Sequence, residues 1–229
     1  MQVAHLSAAN EARRARRAVI LATELDTGIG QVIHEGEIID GELQAEAEKA
    51  FRSGKSATIE ISGRKLFLNV LVPPPRIAVI GAVHISQALA AMAPVAGFDL
   101  RIIDPRTAFA TPERFEGVDL TADWPEDVLK ERPLDAYTAL VAVTHDPKID
   151  DFPIAAALKT GCFYVGALGS RKTHAKRVDR LRELGVTDEQ IGRIDAPIGL
   201  DIGAQSPAEI AVAVLGGIIQ AFRRRELRG

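Results

Sequence analysis

At 229 residues the chain is long enough for one full domain, a smaller partner and a sizeable buried core. Hydrophobic residues at 47% and charged residues at 26% exclude disordered, collagen-like and mucin-like chains. A net charge of −3 excludes the global basic field used to hold nucleic acid, and a single cysteine, Cys162, excludes an internal disulfide or a cysteine-cluster metal site.

The N-terminus becomes basic only at Arg13, Arg14, Arg16 and Arg17, after its apolar residues. A secretory signal has the reverse order, and an Arg-rich transit peptide would run directly into Val19 to Leu25, which reads as core. The longest apolar run, Ile210 to Ile219, is ten residues, where a spanning helix needs about 20. No membrane segment is expected, and a cytoplasmic location follows as the simplest expectation.

Strands are predicted near Ala18 to Leu25 and Gly30 to His34, followed by a helix over Gly41 to Phe51 with Leu43, Ala47, Ala50 and Phe51 near helical spacing. Ala57 to Ile61 and Lys65 to Val72 alternate across Ser62-Gly63-Arg64, which predicts a hairpin. Residues 1–72 thus form a small α+β lobe, whose apolar hairpin requires cover on more than one face. Pro73-Pro74-Pro75 then stiffens the chain and separates this lobe from residues 73–229.

Beyond the prolines, strand and helix alternate. Strands are predicted at Arg76 to Ile80, Leu100 to Ile103, Val118 to Leu120, Tyr137 to Val143 and Phe163 to Leu168. Helices are predicted at His84 to Ala96, Pro125 to Glu131, Asp150 to Lys159 and Arg171 to Leu184. Thr187-Asp188-Glu189-Gln190 and Ser206-Pro207-Ala208-Glu209 match capping boxes, the second opening a helix that runs to Arg225. Continuous Val/Ile/Leu strands between helices predict a Rossmann-like, doubly wound parallel sheet, an α/β fold. The arginines ending the last helix read as a solvated terminus matched to its dipole.

In such a sheet ligands bind at the C-terminal strand ends. Four segments converge there: Gly81 to His84, Asp104 to Arg106, Thr144 to Asp146 and Gly166 to Ser170. The first retains only one glycine of the dinucleotide fingerprint, and Val83 sets a branched side chain where a pyrophosphate would meet bare backbone. Asp104 stands 23 residues after Gly81, near the about 20 expected of a ribose-binding carboxylate, and it reads equally well as a strand-end turn residue before Pro105. Arg106 suits a phosphate.

His145 could serve as acid, base or ligand, with Asp146 setting its tautomer and His84 facing the same crevice; the commoner role of a lone histidine is structural. Their spacing matches no metal motif, so no metal site is assigned. Gly169, Ser170, Arg171 and Lys172 open a basic helix, either as a phosphate cradle or as an ordinary cap made by Ser170. Asp201 lies in the glycine-punctuated loop Pro197 to Gly203, which either closes over a ligand or packs as a tight turn. Cys162 reads as a small buried hydrophobe.

Together these segments resemble the XdhC/CoxI family, accessory proteins of xanthine dehydrogenase and related molybdenum hydroxylases. The resemblance is carried by Pro73-Pro74-Pro75-Arg76 leading to Gly81-Ala82-x-His84, by Asp104-x-Arg106 with Arg114-Phe115, and by Thr144-His145-Asp146. It is also carried by Gly166-x-x-Gly169-Ser170-Arg171 and by Ala196-Pro197-Ile198-Gly199-Leu200-Asp201-Ile202-Gly203-Ala204.

The resemblance implies a Rossmann-like C-terminal domain, a smaller N-terminal one, homodimerisation, and help in inserting molybdenum cofactor (molybdopterin) into a xanthine dehydrogenase-type hydroxylase. Gly81, His84, Asp104, Arg106, Thr144, His145, Asp146, Gly169, Ser170, Arg171 and Asp201 are the resulting cofactor-binding candidates. Two departures stand out: Val83 replaces the family's second glycine, and residues 35–42 hold no cysteine where many members have one. No complete catalytic constellation accompanies these loops, so no catalytic residue is assigned. The competing readings are an NAD(P)-dependent oxidoreductase and a methyltransferase-like or other nucleotide-binding module.

Overall fold

The strands whose sequences are uniformly apolar form the centre of a six-stranded parallel sheet. They are β5 (Arg76–Ile80), β6 (Asp99–Ile103), β7 (Asp119–Thr121), β8 (Thr138–Ala142), β9 (Tyr164–Ala167) and β10 (Ile194–Asp195), in the spatial order β10-β9-β8-β5-β6-β7. The chain runs outward from β5 to β7, then returns to β8 beside β5 and runs outward the other way. That reversal between β5 and β8 is the switch point of a doubly wound sheet, as the sequence predicts. All five residues of β8 are buried, consistent with helices on both faces.

Helices α3 (His84–Met92), α4 (Pro125–Glu131), α5 (Pro147–Thr160), α6 (Arg171–Glu183), α7 (Asp188–Ile191) and α8 (Pro207–Arg224) follow in order. One continuous core joins Ala78, Ile80, Leu140 and Ala142 of the sheet to Ile154 and Leu158 of α5 and Leu181 of α6. Each fully buried Leu or Ile here contributes about 1.5–3 kcal/mol. Cys162 lies in the same core, and burial pushes its thiol up to about 12, so it stays protonated and packs as a hydrophobe.

The computed structural model describes residues 3–39, 41–225 and 227; Asp40, within the cysteine-free stretch 35–42, lies outside them. The chain divides into two compact units, Met1–Pro73 with Arg223–Gly229, and Pro74–Phe222. The smaller unit is an antiparallel sheet in the order β2-β1-β4-β3, built from β1 (Val19–Glu24), β2 (Gly30–His34), β3 (Ala57–Ile61) and β4 (Arg64–Leu71). Helices α1 (Val3–Arg14) and α2 (Glu42–Ser53) complete it. Ala9 and Ala12 of α1 cover Val19, Leu21, Val32 and Leu71. Phe67, two residues from Asn69 on the same side of β4, stays 38% exposed.

Three details differ from the sequence reading. Residues 3–14 form a helix where none is predicted, and α3 ends at Met92 because Pro94 has no N–H to continue the ladder. Arg225 is no solvated helix end. Its guanidinium donates to Glu35 (3.4 Å) and to the Phe51 carbonyl (3.3 Å), and its own carbonyl accepts from Arg52 (2.9 Å), so the tail from Arg223 groups with the smaller unit.

Candidate functional site

Parallel pairing of β6, β5, β8 and β9 puts Asp104, Gly81, Thr144 and Leu168 at one edge of the larger unit. Gly81 has φ +119°, and a Cβ there would lie 2.9 Å from Thr144 Cγ2, so this position requires glycine on both conformational and steric grounds. Ser86 stands where a third fingerprint glycine would be. It is fully buried, and its hydroxyl donates to the Gly81 carbonyl, tying the first turn of α3 to the loop.

Asp104 is wholly buried, and both its oxygens are engaged. Oδ2 accepts from the Ala82 N–H (2.7 Å) and from Arg106 Nη2 (2.8 Å), while Oδ1 accepts from Arg106 N (3.0 Å) and Nε (2.9 Å). Burial pushes this carboxyl up, but the Arg106 guanidinium and the two backbone donors outweigh it and hold it below the ordinary range. Arg106 also stacks on the Phe109 ring, 4.4 Å from its centroid. The pair therefore locks the β5–α3 loop from beneath.

Arg114 locks the loop from outside, donating to the carbonyls of Ala82 (3.1 Å) and Phe109 (2.8 Å). Val83 is the N-cap of α3, with no side-chain cap bond, and His84 is exposed at the first helical position.

At the end of β8, the Thr144 hydroxyl accepts from Asp146 N (3.0 Å) and donates to Asp150 Oδ1 (2.7 Å). Asp146 caps α5 by accepting from Lys148 N (2.9 Å), so its Oδ1 serves the helix. His145 is exposed and adopts φ +65°, a left-handed conformation uncommon outside glycine, asparagine and aspartate. At the end of β9, Ser170 caps α6 by accepting from Thr173 N (3.2 Å), with Gly169 at φ +133° before it. Arg171 is exposed at the first turn of that helix.

Asp201 is exposed in the glycine-punctuated loop. That loop packs on α8 through Gly199, where a Cβ would lie 2.8 Å from the backbone of Ala213 and Val214. Asp195 anchors it, its Oδ2 accepting from Gly199 N (2.9 Å) and the Tyr164 hydroxyl (2.6 Å).

The structure thus joins Gly81 to Thr144, Asp104 to Arg106, and Thr144 to Asp146, and it brings His145 beside α6. Among the described residues no cluster of three His, Cys, Asp or Glu side chains forms a metal set.

The most unusual feature joins His145 and Lys172, which the sequence singles out, to side chains that it does not. Between α5 and α6 is a cavity of about 330 Å³, lined by His145, Asp150, Lys172, Thr173, Lys176 and Arg177. Asp150 is 1% exposed and Arg177 2% exposed. Asp150 Oδ2 and the Arg177 Nε and Nη1 have no hydrogen-bond partner, and Arg177 makes only an Nη2 bond to the Leu168 carbonyl (2.9 Å). Such orphans each cost about 1–3 kcal/mol, more when charged. Burial raises the Asp150 carboxyl to about 6, despite the lowering pull of Thr144 and Arg177. Burial likewise lowers Arg177, against the raising pull of Asp150 and Asp151. A signal was present in the sequence: His174, Arg177, Val178 and Leu181 share one inward helical stripe, as do Asp150, Ile154, Ala157 and Leu158. A charge on an apolar stripe marks a buried polar site.

Comparison with known proteins decides the family. The XdhC Rossmann domain model matches residues 77–218. The chain belongs to the XdhC family. XdhC relatives include an uncharacterised Escherichia coli K12 protein, YqeB, 31% identical over 84% of this chain and 37% of its own length. A probable xanthine dehydrogenase component from Bacillus subtilis is 32% identical, over 69% of this chain and 46% of that protein. The molybdenum cofactor insertion chaperone PaoD of E. coli is 30% identical, over 67% and 42%. The chain therefore spans less than half the length of these XdhC relatives. A crystal structure of a xanthine dehydrogenase from Bacillus halodurans shares the fold, with a TM-score of 0.62 at 23% identity, covering 97% of this chain and 65% of that one.

Proposed function

We propose that this chain is a maturation factor that carries molybdenum cofactor as cargo and assists its insertion into a xanthine dehydrogenase-type molybdenum hydroxylase. The observation that carries the reading is the state of the strand-end crevice in an XdhC Rossmann unit. Asp104 is committed to Arg106 and Ala82, so no carboxylate oxygen remains for a ribose, and Val83, the N-cap of α3, stands where the fingerprint has its second glycine. The same edge keeps cations and a buried unpaired guanidinium, which suit an anionic cargo. The name of PaoD supports the insertion role, and that of the B. subtilis relative supports a xanthine dehydrogenase as the client.

The test is anaerobic incubation with molybdenum cofactor released from a molybdenum enzyme, then gel filtration and oxidation of the retained pterin to its fluorescent derivative. Near-stoichiometric retention and transfer to an apo-hydroxylase are expected. NAD(H) and NADP(H), titrated in parallel, are expected to bind no tighter than millimolar, and Val83→Gly to strengthen that binding. Micromolar dinucleotide binding without pterin retention would replace this reading by the oxidoreductase one.

The working form is a cytoplasmic homodimer on this reading. What supports the dimer is the partly uncovered face of the small unit's sheet, where Phe67 is exposed beside Thr58 in the register. No helix among the described residues is long and apolar enough to cross a membrane. Sedimentation is expected to show a dimer at micromolar concentration that Phe67→Asp weakens at least tenfold; a native monomer at every concentration would refute it.

A further inference from the structure

We propose that the α5–α6 cavity is a binding site for a phosphate monoester group. Three observations converge on it. First, Arg177 is almost wholly buried, yet its Nε and Nη1 are unpartnered. Nη2 carries two protons and gives only one bond, to the Leu168 carbonyl, so one two-nitrogen edge of the guanidinium, Nη2 with either Nε or Nη1, stays open to two oxygens of one oxyanion.

Second, the charges around the cavity do not cancel. Lys172, Lys176, Arg177 and Arg180 face only two carboxylates, and Asp151 is already held by both Arg180 nitrogens Nε and Nη2. The surplus suits a dianion. Lys172, Thr173 and Lys176 reach it from one side of α6, since positions three and four apart share a helix face.

Third, the size fits. About 330 Å³ is at the lower end of the range for ligand pockets, about 300–1,000 Å³, enough for a phosphate and its nearest atoms but not for a dinucleotide. Asp150, with its buried Oδ2 unpartnered, then answers a donor: a protonated phosphate oxygen or an N–H or O–H of the group that carries it. The left-handed turn at His145 sets that side chain at the same cavity.

On the maturation-factor reading, the phosphate is the one carried by the pterin cargo; the alternative source is a nucleotide. The experiment therefore uses inorganic phosphate first, titrated against the full chain at fixed ionic strength with chloride as the balancing anion, because salt alone screens exposed charge. A saturable rise in melting temperature is expected. Lys172→Gln/Lys176→Gln, altering two exposed side chains, is expected to keep the native melting temperature without phosphate and to weaken phosphate binding at least tenfold.

Arg177→Gln is expected to abolish binding, but it also removes the Leu168 contact, so the lysine pair carries the test. No saturable effect of phosphate, or an effect unchanged in the lysine variant, overturns the site. Competition then identifies the source. Phosphate that displaces retained pterin cofactor supports the cargo assignment, whereas adenosine monophosphate binding tighter than the cofactor overturns it and leaves the phosphate site standing. Phosphate binding without pterin retention would defeat the maturation reading alone; pterin retention without phosphate binding would defeat the site alone.

Discussion

Replacing Arg106 by methionine is expected to lower stability by about 2–3 kcal/mol at pH 7, more than any exposed substitution on the same edge. Asp104 is fully buried and would keep only its two backbone donors, from Ala82 and Arg106. Removing one partner of a buried pair costs about 3–5 kcal/mol because the other charge is stranded, and the 30% exposure of the arginine side chain reduces that figure. Methionine keeps part of the contact with Phe109, so the loss reports mainly on the charge.

The pH dependence follows from the same geometry. A carboxyl held below its ordinary range adds stability above the unfolded-state value, about 3.9, and loses it as pH falls further through the folded-state value. The native protein should lose this contribution only below about pH 4. In Arg106→Met the lowering contribution of the guanidinium is gone, so the stability gap between native protein and variant is full above about pH 4 and narrows as pH falls below it. Urea melts from pH 3 to pH 8 check both statements. A variant with native stability at every pH would show that Asp104 is held by backbone donors alone.

The larger unit was legible because its strands are buried on both faces. Ile77 to Ile80 and Ala139 to Val143 are continuous apolar runs with little else they can form. The cues for α5 were present too, with Asp146 as cap and Pro147 at the first helical position, though helical periodicity suggested a later start. What failed to show were elements whose buried side is nearly featureless. Helix α1 inserts only Ala9 and Ala12, and β10 has two residues, too short for any pattern.

The crevice residues could be placed at strand ends, since topology determines strand ends, but their bonds depend on side-chain reach. Arg106 stands two residues from Asp104 and reads as a phosphate ligand until the fold turns it back onto that carboxylate. Asp150 and Arg177 were missed for the opposite reason. They are neighbours only across two helices, and each is a charge on a stripe that otherwise reads as core.

That juxtaposition leads to an expected gain rather than a loss. Asp150→Asn should stabilise the protein at pH 7.5 by about 1–2 kcal/mol in phosphate-free buffer. Burial raises the carboxyl to about 6, so the folded state binds its proton more tightly than the unfolded chain does. The stability penalty is absent below about pH 4, grows between about pH 4 and 6, and is complete above that, with a ceiling of about 3 kcal/mol. The Thr144 hydroxyl and Arg177 reduce it and Asp151 adds to it. Asparagine retains an oxygen for the Thr144 hydroxyl but sets an amide beside an unpartnered guanidinium, which is why the gain should fall short of the ceiling. Melts of variant and native protein compared at each pH isolate this group from every other, since the two proteins differ at this position alone. The difference should be near zero at pH 4 and open as pH rises to 6. A difference that stays flat, or a variant less stable at pH 7.5, would show that the carboxylate is compensated by Arg177 and is no burden to the fold.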